Sequence, residues 1–150
     1  MPKVNPETKP LWKCPRCGHR FVTRNMWHSC TQVDLDAHFT GKEPTIRKLF
    51  DAWLGFVRKY GGPVTVIPQK SRISFQARVR FSGAIIHKQW VDCTFWLKRP
   101  IQDDRFDKIE KYPPTNFVYH FNLTDTTQLD EQLGSYIREA YQVGLQRYKR

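Results

Sequence analysis

A chain of 150 residues and 17.9 kDa has room for one compact domain and a small appendage, not for two full-sized cores. Its hydrophobic fraction of 39%, with 14% aromatics, excludes a wholly disordered chain, while apolar runs of only a few residues exclude a membrane span. The charged fraction of 26% is ordinary, but 25 Lys+Arg against 14 Asp+Glu leave +11, and that sign predicts an anionic partner, nucleic acid before a membrane surface.

In chain order, residues 1–10 contain Pro2, Pro6 and Pro10 without apolar periodicity and read as a flexible leader. They hold no apolar stretch of the kind a secretory signal needs, and four cysteines are too few for a disulfide-stapled miniprotein. The expectation is a cytoplasmic protein with reduced thiols. Residues 11–31 are dense in Cys, His, Arg and Trp and form a separate head, followed by a polar stretch up to Gly41 and then by the main domain. Pro44 opens an amphipathic helix with Ile46, Leu49, Phe50, Trp53, Phe56, Val57 and Tyr60 on one side, and Gly61-Gly62-Pro63 stops it. Strand-like runs follow at 64–67, 72–81, 84–88, 91–98 and 116–123, with Ser82-Gly83 and Gln89-Trp90 as hairpin turns and residues 99–115 as a connection. Thr127 and Asp130 have the spacing of a helix cap before the apolar stripe Leu129, Leu133, Tyr136, Ile137, Ala140, Tyr141 and Gly144. The fold class is therefore α+β: an antiparallel sheet of about five strands with both helices on one face.

The head carries a metal-site pattern. Cys14-Pro-Arg-Cys17 places two thiolates at one site with Gly18 turning the backbone beneath, and His28-Ser29-Cys30 supplies a second pair, so the ligand set is Cys14, Cys17, His28 and Cys30 and the expected ion is structural zinc. A unit of about twenty residues buries too little surface to fold without such help. On a regular helix His28 and Cys30 would point to opposite sides, so His19 and His38 stand as alternatives to His28. Trp12, Phe21 and Trp27 read as the head's miniature core. Lys13, Arg16, Arg20 and Arg24 then point outward, as a phosphate-contacting array or as ordinary solvated surface.

Charge is unevenly spread: +4 over residues 1–42, +8 over 43–100 and −1 over 101–150. Within 72–81 apolar and polar residues alternate, which lines up Arg72, Arg78 and Arg80 on one strand face. The same alternation turns Asp92, Thr94, Trp96 and Lys98 outward on one strand, and His120 on the last. Arg72, Arg78, Arg80, Trp96, Lys98 and His120 are thus the expected anion-binding set on the helix-free face. Arginines beside an aromatic suit single-stranded nucleic acid, and suit a small anionic ligand if the face is concave. The competing reading is a solvated sheet face. Asp103, Asp104, Asp107 and Glu110 are the one place where carboxylates gather, as a metal-dependent nuclease requires, but interspersed Arg105, Lys108 and Lys111 favour solvated ion pairs. No glycine-rich phosphate loop, nucleophile elbow or zinc-protease motif is present, and no catalytic residue is assigned.

Taken together, CPRCGHRF, NMWHSC, HFTGKEP, GPVTVIPQKSRISFQARVRF and AYQVG, spanning residues 11 to 146, resemble an uncharacterised bacterial family, domain of unknown function 5655. The resemblance implies that the Cys/His head is an addition to a constant part starting at His38, so that the main domain is 38–150 and His38 belongs to it. It implies no activity. The expected function is a non-enzymatic nucleic-acid-binding module with a structural zinc head and a basic sheet face, a small-anion or protein-interaction module being the alternative and a nuclease the third. Oligomeric state does not follow from these residues.

Overall fold

A computed structural model describes residues 10–28, 30 and 33–147, so the expected leader lies, but for Pro10, outside the described residues. Two short strands, β1 (Trp12–Lys13) and β2 (Arg20–Phe21), pair antiparallel in the head. A 3-10 turn over Leu35–Phe39 leads into α1 (Pro44–Tyr60). The main sheet has six strands, β3 (Thr65–Pro68), β4 (Ile73–Gln76), β5 (Arg80–Ile86), β6 (Val91–Leu97), β7 (Lys108–Tyr112) and β8 (Asn116–Leu123), and α2 (Glu131–Gly144) follows. Strand order is β3-β4-β5-β6-β8-β7, every neighbouring pair antiparallel. This is an α+β fold.

Both helices cover one face of the sheet. Ile46, Leu49, Phe50, Trp53, Phe56 and Val57 form the buried stripe of α1, and Leu133, Tyr136, Ile137, Ala140 and Tyr141 that of α2. They meet Val91, Cys93, Phe95 and Leu97 of β6 and Tyr119, Phe121 and Leu123 of β8, all at most 1% exposed. Each such side chain removed from water contributes about 1.5–3 kcal/mol. Trp53 is fully buried and its indole N–H donates to the carbonyl of Gly83 (3.0 Å), tying α1 to the centre of the sheet. Among the described residues no helix is long and apolar enough to cross a membrane.

Three elements differ from the sequence expectation. Residues 72–81 are not one strand: the chain turns at 77–79, with the Ala77 N–H bonded to Val79 O (3.1 Å) and a register shift between Phe75 and Gln76. The hairpin thus turns at Ala77-Arg78-Val79, and Ser82-Gly83, placed at a turn by its glycine, lies inside β5. Alternation alone cannot reveal such a turn, because polar and apolar residues keep alternating through it. The connection 99–115 contains β7, a charged edge strand pairing only with β8; its Lys-Ile-Glu-Lys-Tyr pattern is the kind that protects an edge and hides a strand from an apolar scan. Asp130 caps α2 by accepting from Leu133 N–H (2.9 Å), whereas Thr127 lies in a preceding 3-10 turn capped by Asp125.

Candidate metal centre and anion pocket

The head turns tightly at Cys14-Pro-Arg-Cys17: Gly18 N–H bonds Cys14 O (2.8 Å), Cys14 N–H bonds His19 O (2.8 Å), and Gly18 has φ +78°. This brings Cys14 and Cys17, 4% and 6% exposed, to one point. Residues 26–28 are not helical, so the opposition expected between His28 and Cys30 on a helix does not arise. Cys17 Sγ lies 3.2 Å and Cys30 Sγ 3.4 Å from His28 Nε2, Cys14 Sγ lies 3.7 Å from Cys30 Sγ, and all four donor atoms fall within 4.8 Å of one another. Tetrahedral ligands on metal–sulfur bonds of ~2.3 Å and metal–nitrogen bonds of ~2.0 Å stand about 3.5–3.8 Å apart, so the group can hold a metal ion. His28 Nδ1 donates to Met26 O (2.6 Å), which leaves Nε2 as the lone-pair nitrogen facing the sulfurs.

Electrostatics support the same assignment. Backbone N–H groups of Cys17 and, less strongly, Arg16 hold the Cys14 thiol down to about 6 against the opposing effect of burial. Burial, then the hydrogen bonds and charges of Cys14 and Cys17, push the Cys30 thiol up to about 11. Without a cation the cluster resists a second negative charge near Cys30; a divalent ion allows three thiolates together. The alternatives separate cleanly. His38 Nε2 bonds Gln69 O (2.7 Å) in the main domain, and His19, kept below its usual pKa by burial and then Arg80, is not in the cluster. The miniature core is Trp12, Phe21 and the His28 ring, with Phe21 4.4 Å and Trp12 6.2 Å from His28. Trp27, expected in that core, is 92% exposed, because turning His28 toward the sulfurs turns its neighbour outward.

On the helix-free face, register places Ser74, Gly83, Thr94 and His120 in one row across β4, β5, β6 and β8. Gly83 keeps the row low: a Cβ there would stand 2.3 Å from Ile73 O. A hollow of about 360 Å³ opens above it, lined among others by Arg72, Arg80, Trp96, Glu110, Tyr112 and His120. His120, 7% exposed, is held at both ring nitrogens, Nδ1 to Asp92 (3.1 Å) and Nε2 to Glu110 (2.5 Å), and the Tyr112 hydroxyl donates to the other Glu110 oxygen (2.5 Å). Burial opposes a charge on His120, but the two carboxylates outweigh it and raise its pKa. Trp96 stacks on Tyr112, ring centroids 5.6 Å apart. Among the described residues no carboxylate pairs with Arg72 or Arg80, and Arg80 Nε is buried with no hydrogen-bond partner.

Of the six residues expected on this face, Arg72, Arg80, Trp96 and His120 line the hollow. Lys98 stands beside it, donating to Asn116 Oδ1 (2.6 Å) in a smaller depression shared with Arg80 and Trp96. Arg78 is elsewhere: it sits in the β4–β5 turn, 8% exposed, its N–H on Gly144 O (2.9 Å) and its Nε 3.4 Å from Gln146 Oε1. The turn that splits residues 72–81 removes it from the face. Asp92 faces outward, as alternation along β6 requires, but its partnership with Glu110 around His120 depends on β7, from which Glu110 reaches His120 diagonally. Asp103, Asp107 and Glu110 of the 103–110 stretch are engaged separately, and Asp103 forms an ion pair of the kind its interspersed cations favour. Asp103 and Asp130 both bind Arg105 (3.0 Å each), Asp107 accepts from Asn122 N–H (2.7 Å), and Glu110 is taken by His120 and Tyr112. Cys93 is fully buried, and burial pushes its thiol well above the usual range.

The family described as "Domain of unknown function (DUF5655)" matches residues 35–144, most of the chain, and the chain belongs to that family. The matched stretch begins after Cys30, so the Cys/His cluster falls outside it. No curated protein and no solved structure matches.

Proposed function

We propose that this family member is a non-enzymatic binding protein that takes a small anionic ligand in the hollow of its helix-free sheet face, with a structural zinc ion in its head. The observation that carries the reading is the pair Arg72 and Arg80, both lining one concave site and neither matched by a carboxylate among the described residues. A hollow of about 360 Å³ is of small-ligand size. Glu110 and Asp92, the carboxylates nearby, are already engaged by His120 and leave the arginines available to an anion. An extended nucleic-acid strand across this face is favoured less, since Trp96 has one ring face against Tyr112 and the surface is hollow rather than flat.

Three sulfurs and one imidazole are a donor set that suits zinc, and four protein ligands leave no open position for a substrate water, which supports a structural ion. Thiolates of this kind persist in a reducing compartment, consistent with a cytoplasmic setting. The test is thermal stabilisation and calorimetric titration with inorganic phosphate, pyrophosphate, citrate and mononucleotides, repeated on Arg72→Ala and Arg80→Ala. At least one of these anions should raise the melting temperature of the native protein, and both variants should lose the effect. Absence of stabilisation by every anion at millimolar concentration, or undiminished binding by both variants, overturns the proposal.

A further inference from the structure

The head carries a second feature, in a depression it shares with the β4–β5 turn. Trp27 is 92% exposed, and Met26 and Val22 beside it are 39% and 37% exposed. No ring contact holds the Trp27 indole among the described residues, although the rings of Trp12, Phe21 and His28 pack together a few residues away. The local backbone fixes this arrangement. Asn25 takes a left-handed conformation (φ 57°), Met26 N–H closes a turn onto Thr23 O (3.3 Å), and His28 captures Met26 O, so Trp27 is carried outward by the same turn that delivers His28 to the metal group. The indole is presented on a short, braced loop.

The charge of the head has one sign. Between residues 11 and 33 the chain has four cationic side chains, Lys13, Arg16, Arg20 and Arg24, and no carboxylate. All four are exposed and none forms an ion pair among the described residues. An apolar protein partner would have no use for four unmatched cations, and a plain polyanion would have none for an exposed indole. A polyanion that also carries flat aromatic rings uses both.

We propose that the head is a docking platform for single-stranded nucleic acid, with Trp27 stacking on an unpaired base while Arg24, in the same turn, contacts the adjoining phosphate and the head's other cations, Lys13, Arg16 and Arg20, draw in the rest of the strand. Single strands are favoured over duplex because a base must be free to stack. The platform adjoins the sheet hollow, since Trp27 and Arg80 line one depression and Arg80 also lines the hollow, whereas Arg72 lines the hollow and not that depression.

The experiment is fluorescence anisotropy of the metal-loaded full chain with end-labelled oligothymidine and oligouridine of about a dozen nucleotides, against a duplex of the same length. The native protein should bind the single strands more tightly than the duplex. Its log affinity should fall with log salt, and Arg24→Ala should reduce that slope by roughly 0.7, the worth of one phosphate contact. Trp27→Ala should weaken binding about five- to hundredfold, the worth of one stacked base, while Trp27→Phe, which keeps a ring, should retain most of the affinity. Arg72→Ala, in the hollow, should leave oligonucleotide binding unchanged. Substitution at so exposed a position should alter neither metal content nor melting temperature, and both are measured on each variant. Binding lost equally with Ala and Phe at position 27, binding lost only in Arg72→Ala, or no salt-sensitive binding by the native protein overturns the proposal.

Discussion

His120 is the group through which the sheet hollow can be tested most sharply. It is 7% exposed and stands between the carboxylates of Asp92 and Glu110, whose side chains are 16% and 29% exposed. His120→Ala removes the cation and leaves two carboxylates facing the same vacated space. Breaking a fully buried pair from one side costs about 3–5 kcal/mol, while an exposed pair is worth about 0–1 kcal/mol. The partial exposure places this loss at about 2–3 kcal/mol, or a fall in melting temperature of roughly 4–12 °C for a domain of this size. His120→Gln, whose amide still donates to one carboxylate, should lose less. The pH dependence carries the stronger test. The folded-state pKa of His120 lies above its ordinary value of 6.5, burial being outweighed by Asp92 and Glu110. Its stabilising contribution is therefore complete below about 6.5 and fades as pH rises through the raised folded value. Glu110, held below its ordinary 4.5 by the Tyr112 hydroxyl and then by His120, works in the opposite sense, its contribution fading as pH falls through the lowered value. Urea unfolding of the native protein and His120→Gln, from about pH 5.5 to 8.5, should show a stability gap that narrows as pH rises. Parallel curves across that range would refute a charged, doubly paired histidine.

Elemental analysis of protein purified without chelator should find one metal ion per chain; Cys17→Ser should lose it and loosen the head, while the urea midpoint of the main domain moves little. Gly83→Ala should lower stability by roughly 1–3 kcal/mol by forcing apart β4 and β5, since the new Cβ would meet Ile73 O at 2.3 Å, a loss read from urea denaturation. Trp53→Phe should cost about 1–3 kcal/mol in the same assay, because it leaves the buried carbonyl of Gly83 without the indole N–H that now serves it.

How much of this was legible in the sequence depended on whether the signal was local. The apolar stripes of α1 and α2, the Pro44 entry and the Gly61 exit are set by residues within a few positions of each other, so the local sequence is enough to define them. The group Cys14, Cys17, His28 and Cys30, which could hold a metal ion, was legible because its spacing states the chemistry directly, although preferring His28 to His19 and His38 depends on backbone shape. The hollow was legible only in part. Arg72, Arg80, Trp96 and His120 were placed on the helix-free face, but Arg78 was not separable from them, since alternation runs unbroken through the turn at 77–79. Glu110 was hidden for a different reason: β7 is an edge strand whose pairing is decided by β8, and its charged residues resemble a solvated loop. Trp27 was assigned by residue type to a core that Trp12, Phe21 and the His28 ring already fill.

Arg80 joins the two halves of the molecule, and its surroundings say how a metal ion held in the head would act on the hollow. Its guanidinium lies over the Phe21 ring at 5.4 Å, it lines the hollow, and its pKa is lowered by burial and supported in the opposite direction by Cys17. Beside it, Gln76 Nε2 donates to Arg20 O (2.8 Å), a second tie between the head and the sheet. Two routes from metal to hollow are then conceivable, one through charge and one through position. Metal loss acts here through position, by the contacts just named. What it changes is Phe21 and the β1–β2 hairpin, which no longer have a fixed His28 to pack against, and with them the surface on which the guanidinium rests. Anion affinity in Cys17→Ser should accordingly fall by a factor that is the same at low and at high salt, because a displaced arginine is not restored by screening. A loss that vanishes as salt rises would mean that charge, not position, links the two sites.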